Sequence, residues 1–435
     1  MTAHFAIIGS GPSGMYAADA LLEGIPDCRI DVYDRLPAPF GLIRYGVAPD
    51  HYKTKNTARQ FARTLDLPNV RFVGNVEIGR DITLDEMKVF YDGVILAIGA
   101  YNDRPLGIPG EDLPGVYGAC AFVGWYNGHP DYRDLNPLLD TESVCVVGVG
   151  NVALDVCRVL AKTAAEMDES DIAAHALAAI QKSPLKKLHM FGRRGPIEAG
   201  FTPKELGELR ELERAVAVVD PAQLPDKVEG EFEGREKGVK EKNLSIFKEL
   251  SLHQAGGKPI TMKIEFYAAP KEILGKERVE GIRMERTRVE NGKAVSTGET
   301  FDVPCGAVVK AIGYYSKAPA GVPMNGNGTI ANKDGWVSDN LWVVGWSKRG
   351  PSGTIPTNGP ESRDVAQRIA ANYQAAKTGD KPGGDAVQLL LKSRNVRVVD
   401  YPGFKKISAA EVARATGGHP QEKFTRIDEM LAVLN

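Results

Sequence analysis

The chain has 435 residues, of which 43% are hydrophobic and 25% charged, and a formal net charge of −2. That length is too great for one core and sets an expectation of two to three domains, while the near-neutral balance argues against a general nucleic-acid binder. Five cysteines (Cys28, Cys120, Cys145, Cys157, Cys305) show no CxxC or CxxxxC spacing, which excludes an ordinary redox dithiol and a zinc ribbon, and no metal site is expected.

The first element is a short apolar strand, His4–Gly9, running directly into Gly9-Ser-Gly11-Pro-Ser13-Gly14 and a helix from Met15 to Leu22. Strand, glycine turn and helix open a dinucleotide-binding βαβ unit. Gly9 makes the tight turn, Gly11 lets backbone approach a pyrophosphate and Gly14 lets helix and strand pack closely. The pyrophosphate would sit on the N–H groups at the helix start. The next strand, Arg29–Asp34, ends in a carboxylate 20 residues beyond Gly14, where an acid can accept from the adenosine ribose hydroxyls. The apolar, Pro- and Gly-punctuated stretch Pro37–His51 is long enough to be a functional loop. A helix is expected from about Lys55 to Thr64, and short strands at Val70–Val73, near Val76 and over Thr83–Val89. The apolar run Tyr91–Gly99 reads as a further central parallel strand, and the Pro- and Gly-rich stretch Arg104–Gly115 as a domain crossing.

The opening pattern then repeats. Ser143–Gly148 is a strand, Gly148-Val149-Gly150-Asn151-Val152-Ala153 the turn, and Val152–Leu160 the helix; Ala153 replaces the third glycine, where only a small side chain is needed. A helical stretch at Asp171–Gln181 precedes the strand Lys187–Gly192, which is followed by Arg193 and Arg194 instead of an acid. An acid favours a free 2′-hydroxyl, whereas arginine accommodates a 2′-phosphate through a charge-assisted fork. Residues Asp220–Lys242 are charged and read as an exposed loop. Strands at Thr261–Ala268 and Val279–Arg288 follow, and Gly306–Gly313 closes in Ala-Ile-Gly as Asp92–Gly99 does, an internal duplication of architecture. The chain returns with the strand Leu341–Gly345, the loop Trp346–Asn358 and the helix Glu361–Ala376. In the tail, Ser408–Asn435, a short helix is expected at Ile427–Leu434.

Two sites of opposite ribose preference point to FAD at the first turn and NADP at the second, an arrangement in which the protein aligns a nicotinamide with a flavin. The fold class is α/β: two Rossmann-like dinucleotide-binding domains in a glutathione reductase-like architecture. The NADP domain (105–313) is inserted into a discontinuous FAD domain (1–104 and 314–435). There is no basic stretch leading into an apolar core at the N-terminus, so no signal peptide is expected. No run reaches membrane-spanning length, and the cysteines, with mostly apolar neighbours, suit a reducing cytoplasm.

Gly9–Tyr16, Pro39–His51, Ala121–Asn127, Gly150–Asp155, Gly192–Pro196 and Gly345–Gly353 together resemble the adrenodoxin reductase type of ferredoxin–NADP+ reductase, over essentially the whole chain. The lack of a leading transit segment suggests a bacterial member. The resemblance implies FAD contacts at Ser13, Asp34, Leu42 and Val76, with Trp346, Gly353, Thr354 and Ile355 lining the isoalloxazine. It implies an NADP pyrophosphate turn at Asn151 and Val152, a 2′-phosphate end at Arg193, Arg194 and Glu205, and Gly353 on the nicotinamide side. His51 and Asp155 resemble a polar pair near the flavin. Val149 stands where the family usually has Gln, which keeps a backbone contact and loses a side-chain hydrogen bond. The implied activity is transfer of hydride from NADPH to FAD and of single electrons to an acidic iron–sulfur ferredoxin. Lys186, Lys187, Lys204, Arg210, Lys348 and Arg349 are then candidates for a basic docking face. Read from the residues alone, His51 is as readily a loop cap, Trp346 core and Glu205 a helix-surface acid. Rival functions are a disulfide reductase, which lacks its paired cysteines here, an electron-feeding module of a larger reductase, and a redox sensor without turnover.

Overall fold

The computed structural model describes residues 2–376 and 381–435. The chain divides into two compact units, one made of 1–102 and 314–435 and the other of 103–313.

In the first unit a six-stranded sheet runs in the order Trp336–Ser338, Leu341–Val343, Gly93–Leu96, His4–Ile8, Arg29–Tyr33, Val70–Val73. All neighbours are parallel except the edge hairpin formed by the first two. Residues Phe5 to Ile8 and Gly93 to Leu96 are buried without alternation, as parallel strands covered on both faces require. One face is covered by the helices Pro12–Gly24 and Asn358–Ala376. On that side Met15, Leu21, Val365 and Ile369 share a core with Ile7 and Ile95. The other face carries Leu84–Phe90 and Gly383–Ser393, with Met87, Val387 and Leu391 packed on Ile8 and Leu96.

The second unit repeats this plan. Its six strands are all parallel, in the order Val116–Gly118, Ala307–Lys310, Ser143–Val147, Lys187–Phe191, Ile260–Glu265, Ala215–Val219. A separate antiparallel sheet of Ala268–Gly275, Val279–Glu290 and Lys293–Pro304 packs Ile273, Ile282 and Met284 against Cys145 and Phe191.

Several local expectations need correction. The stretch Thr83–Val89 is a helix, Leu84–Phe90. Thr83 accepts from the Glu86 N–H, while Glu86 accepts from the Thr83 N–H, a reciprocal cap that outweighs the β-branched residues at its ends. The expected helix from Lys55 to Thr64 is two pieces, Tyr52–Lys55 and Ala58–Leu65. Much of the expected loop Asp220–Lys242 lies in a 17-residue helix, Gly234–Leu250. Its polar face carries Glu236–Lys240 and Lys237–Glu241 pairs one turn apart, and Leu244, Phe247 and Leu250 anchor its far half. The tail holds a helix not expected from the sequence, Tyr401–Ala413, besides a shorter end helix, Ile427–Ala432.

No helix among the described residues is long and apolar enough to cross a membrane, and no group of His, Cys, Asp and Glu among them is arranged to hold a metal ion.

Candidate nucleotide sites

The two glycine turns are built alike, each within its own unit. Gly9 has φ +114° and its N–H donates to the Tyr33 carbonyl at 2.8 Å; Gly148 has φ +138° and donates to the Phe191 carbonyl at 2.9 Å. A Cβ on Gly9 would overlap the Ala97 carbonyl oxygen, and one on Gly148 the Ala311 carbonyl oxygen. Ala97 and Ala311 begin the two Ala-Ile-Gly segments, and their N–H groups donate to Ile8 and Val147 at 2.8 Å each. The echoed tripeptide is therefore the floor beneath each turn, and only glycine fits both the left-handed backbone and the close approach.

A hypothetical Cβ on Gly11 would come no closer than 3.9 Å to the rest of the chain, and one on Gly150 would meet nothing within 4 Å. The helices beginning at Pro12 and Asn151 have no side-chain cap at their N-termini. Each turn thus presents open backbone and uncapped helix N–H groups, a cradle suited to a pyrophosphate.

Beyond the second strand the two sites diverge. Asp34 Oδ2 accepts from the Ser10 N–H at 3.2 Å and from the Ser10 hydroxyl, and Oδ1 from the Leu36 N–H at 3.0 Å. Burial raises the Asp34 pKa above the usual carboxylate value, opposed by these hydrogen bonds. Asp34 therefore organises the turn through Ser10 and Leu36. In the second unit the matching position is Gly192, where a Cβ would press on the Val149 methyls. Val149 occupies the place of Ser10 and leaves no room for an acid.

The two arginines come next. Arg193 is exposed and its backbone carbonyl accepts from Thr287 Oγ1 at 2.7 Å; Arg194 Nη1 donates to the Gly292 carbonyl at 3.3 Å. The antiparallel sheet thus holds the Arg193 backbone and the Arg194 guanidinium. Glu205 lies in the first turn of Pro203–Gly207 and takes the Thr202 hydroxyl at 3.0 Å. This segment is tied to the turn: Thr202 N–H donates to Asn151 Oδ1 at 2.9 Å and Gly200 N–H to the Val149 carbonyl at 2.8 Å. Val152 is half-buried in the first turn of its helix.

In the first unit the returning chain reaches the first turn. Ser13 Oγ donates to Asn358 Oδ1 at 2.9 Å, Ser362 Oγ to the Ser13 carbonyl at 3.0 Å, and Arg349 Nη2 to Asn358 Oδ1 at 2.8 Å. Trp346 is half-buried, donates to the Ser352 carbonyl at 3.0 Å and lies 6.4 Å from the Tyr314 ring, so it is not a core residue. Gly353, with φ +78°, and Thr354 are exposed, and Ile355 is half-buried. Leu42 opens the short helix Leu42–Tyr45; before it, Phe40 has φ +83°, and its N–H reaches the Ser10 hydroxyl at 3.2 Å. A bulky residue in that region marks strain held by its surroundings. Val76 is buried and its N–H donates to the Asp34 carbonyl at 3.0 Å.

His51 is the N-cap residue of Tyr52–Lys55, but its ring does not cap the helix. Asp155 is half-buried in the second unit, with Oδ1 2.8 Å from Arg158 Nη2. The basic candidates separate. Lys348 and Arg349 are mostly buried and bound to Glu361 at 3.1 and 2.7 Å, so they brace the C-terminal loop and are not available as a docking face. Lys186 pairs with Glu142 and Arg210 with Glu249, each at 2.6 Å. Lys187 and Lys204 are exposed.

Sequence reasoning missed Ser10, Asn358, Glu361 and Arg158. A buried Arg44–Glu411 pair at 2.5 Å was also missed; it ties the Leu42–Tyr45 segment to the tail helix. A polar residue opening a helix, as Asn358 does, is a readable signal. Glu411, remote in sequence, gave none.

Twin turns of this build define a two-nucleotide oxidoreductase. The family described as pyridine nucleotide-disulphide oxidoreductase matches residues 3–183. The chain is 39% identical to human mitochondrial NADPH:adrenodoxin oxidoreductase, covering 100% of this chain and 92% of that protein. It is 38% identical to NADPH-ferredoxin reductase FprA of Mycobacterium tuberculosis, covering 99% and 98%. The solved structure of that FprA in complex with NADPH superposes with a TM-score of 0.95, at 37% identity and 100% and 99% coverage. The chain belongs to the adrenodoxin reductase family.

Proposed function

We propose that the protein is a flavin-dependent NADPH:ferredoxin oxidoreductase, with FAD at the Gly9–Gly14 turn and NADP(H) at the Gly148–Ala153 turn. The observation that carries the assignment is the contrast after the second strand: Asp34 in one unit, Val149 over Gly192 and then Arg193-Arg194 in the other. FAD held at the first turn would supply hydride uptake from NADPH and single-electron release to an iron–sulfur partner.

The chain's own residues bind and orient. Gly11, Ser13 and Gly14 present helix N–H groups to the FAD pyrophosphate, Asp34 takes the ribose, and Leu42 and Val76 flank that half. Trp346, Gly353, Thr354 and Ile355 form the returning segment beside the ring system. On the other side Gly150, Asn151 and Val152 receive the NADP pyrophosphate, and Arg193 and Arg194 hold the 2′-phosphate as a charge-assisted fork. Glu205 serves the same adenosine end, and Gly353 also meets the nicotinamide. His51, in the first unit, and Asp155, in the second, are the polar groups that would handle solvent and protons, each on the side of its own unit's nucleotide. The acceptor is an acidic ferredoxin, for which Lys187 and Lys204 are the exposed candidates, Lys186 and Arg210 being paired with Glu142 and Glu249. We assign the enzyme to the cytoplasm, on five cysteines present as free thiols. Burial pushes the Cys28 thiol up to about 12 and raises that of Cys145, which suits inert packing residues.

Anaerobic titration with NADPH tests the reading. A yellow holoenzyme should bleach with one equivalent and recover colour on addition of oxidised ferredoxin. A flavoprotein that NADPH cannot bleach would end it.

A further inference from the structure

Arg158 has 1% of its side chain exposed and is among the largest fully buried residues of the chain. It lies one turn beyond Asp155 on the helix Asn151–Ala161. Its Nη2 is 2.8 Å from Asp155 Oδ1, and its Nε is 3.5 Å from Glu208 Oε2. Asp155 and Glu208 are more open, at 14% and 25%. A guanidinium is rarely buried so completely without serving as a partner, and its rigid fork fixes the carboxylate it binds more firmly than an ammonium can. A helix-surface aspartate left alone would sample several rotamers. With Arg158 beneath it, one oxygen of Asp155 is tied down and the carboxylate is held in one orientation.

Glu208 places this contact in a larger frame. It follows the short helix Pro203–Gly207, on the stretch already joined to the glycine turn through Gly200 and Thr202. Arg158 reaches both that stretch and Asp155.

We propose that Arg158 is a positioning residue: it holds Asp155 in a single orientation for hydride transfer, and Glu208 in turn holds Arg158. The inference rests on the reading of Asp155 given above and adds the means by which its carboxylate is aimed.

The test uses the FAD-loaded enzyme in three variants: Arg158→Lys, Glu208→Gln and Asp155→Asn. Flavin reduction by saturating NADPH is followed anaerobically, and NADP+ affinity is measured separately by calorimetry. Arg158→Lys should slow the limiting reduction rate by between about tenfold and a hundredfold, the usual effect of a small misplacement in a reacting geometry. NADP+ affinity should stay within about twofold, and a crystal structure of the variant should show Asp155 in more than one rotamer. Glu208→Gln should slow reduction in the same sense but less. The double variant Arg158→Lys/Asp155→Asn should be no slower than Asp155→Asn alone. If Asp155→Asn is slow but Arg158→Lys and Glu208→Gln reduce at the parent rate, or Asp155 keeps its rotamer, the positioning role is overturned and the Asp155 reading stands. If Asp155→Asn itself reduces at the parent rate, that reading falls and the proposal falls with it. A loss of NADP+ affinity with an intact limiting rate would make Arg158 a structural brace, also against the proposal.

Discussion

On the proposed assignment, coenzyme preference turns on a handful of atoms. Ser10 gives Asp34 two donors, so an acid can stand after the first unit's second strand; Val149 gives none and fills the space over Gly192. The absent acid and the arginines beyond it are two sides of one substitution. Replacing both Arg193 and Arg194 by Ala should raise the Michaelis constant for NADPH on the order of 100-fold, from two charge-assisted contacts of roughly 1.5 kcal/mol or more each. The constant for NADH should hardly move, and equal changes in both, measured by steady-state kinetics, would remove the 2′-phosphate role. This contrast was legible in the sequence because charge type is local information. The Arg158–Asp155 contact was not: spacing shows that the two share a helix face, but not that the arginine is buried.

At the level of elements, glycine turns and apolar parallel strands declared themselves, since both depend on short-range pattern. What escaped were elements whose stability lies in reciprocal side-chain bonds or distant packing. The helix Leu84–Phe90 depends on Thr83 and Glu86, and Glu86 also takes Arg394 Nη2 at 2.5 Å from the helix's neighbour in the fold. The Arg394 hydrogen bonds, then the Thr83 N–H, lower the Glu86 pKa from its ordinary 4.5 to about 2. A depressed carboxylate stabilises the fold fully above the unfolded value and ceases to do so as pH falls through the folded one. Glu86→Gln should therefore cost about 1 kcal/mol at neutral pH. The difference in melting temperature from the parent should shrink between pH 5 and pH 2. A gap that persists at low pH would mean that the carboxylate's charge is not what matters. The helix Gly234–Leu250 escaped for another reason: its first half is mostly charged or glycine, and the buried side chains that commit it to the fold, Leu244, Ile246, Phe247 and Leu250, all lie in its second half.

On the scale of the whole molecule, the net charge of −2 conceals its distribution. With Lys348 and Arg349 engaged by Glu361, the proposed recognition of an acidic ferredoxin would fall to exposed lysines of the second unit. Lys187→Glu/Lys204→Glu should raise the Michaelis constant for ferredoxin by roughly tenfold or more at low salt. Reduction of a small neutral dye by NADPH should be unaffected. Parent turnover with ferredoxin should fall as ionic strength rises, and a flat salt response would dismiss the basic face.

The first unit's sheet places His4–Ile8 two strands from Leu341–Val343, and Ser13 bonds to Asn358. The second unit is one continuous stretch, 103–313. As the chain leaves the ribosome, the second unit has all its strands while the first still lacks a strand beside Gly93–Leu96 and the Arg44 partner Glu411. The NADP unit can therefore fold during translation, and the FAD unit closes only after nearly the last helix has emerged. Flavin loading is on this account a late, post-translational event, and a truncated chain would keep its coenzyme fold while failing to hold the prosthetic group.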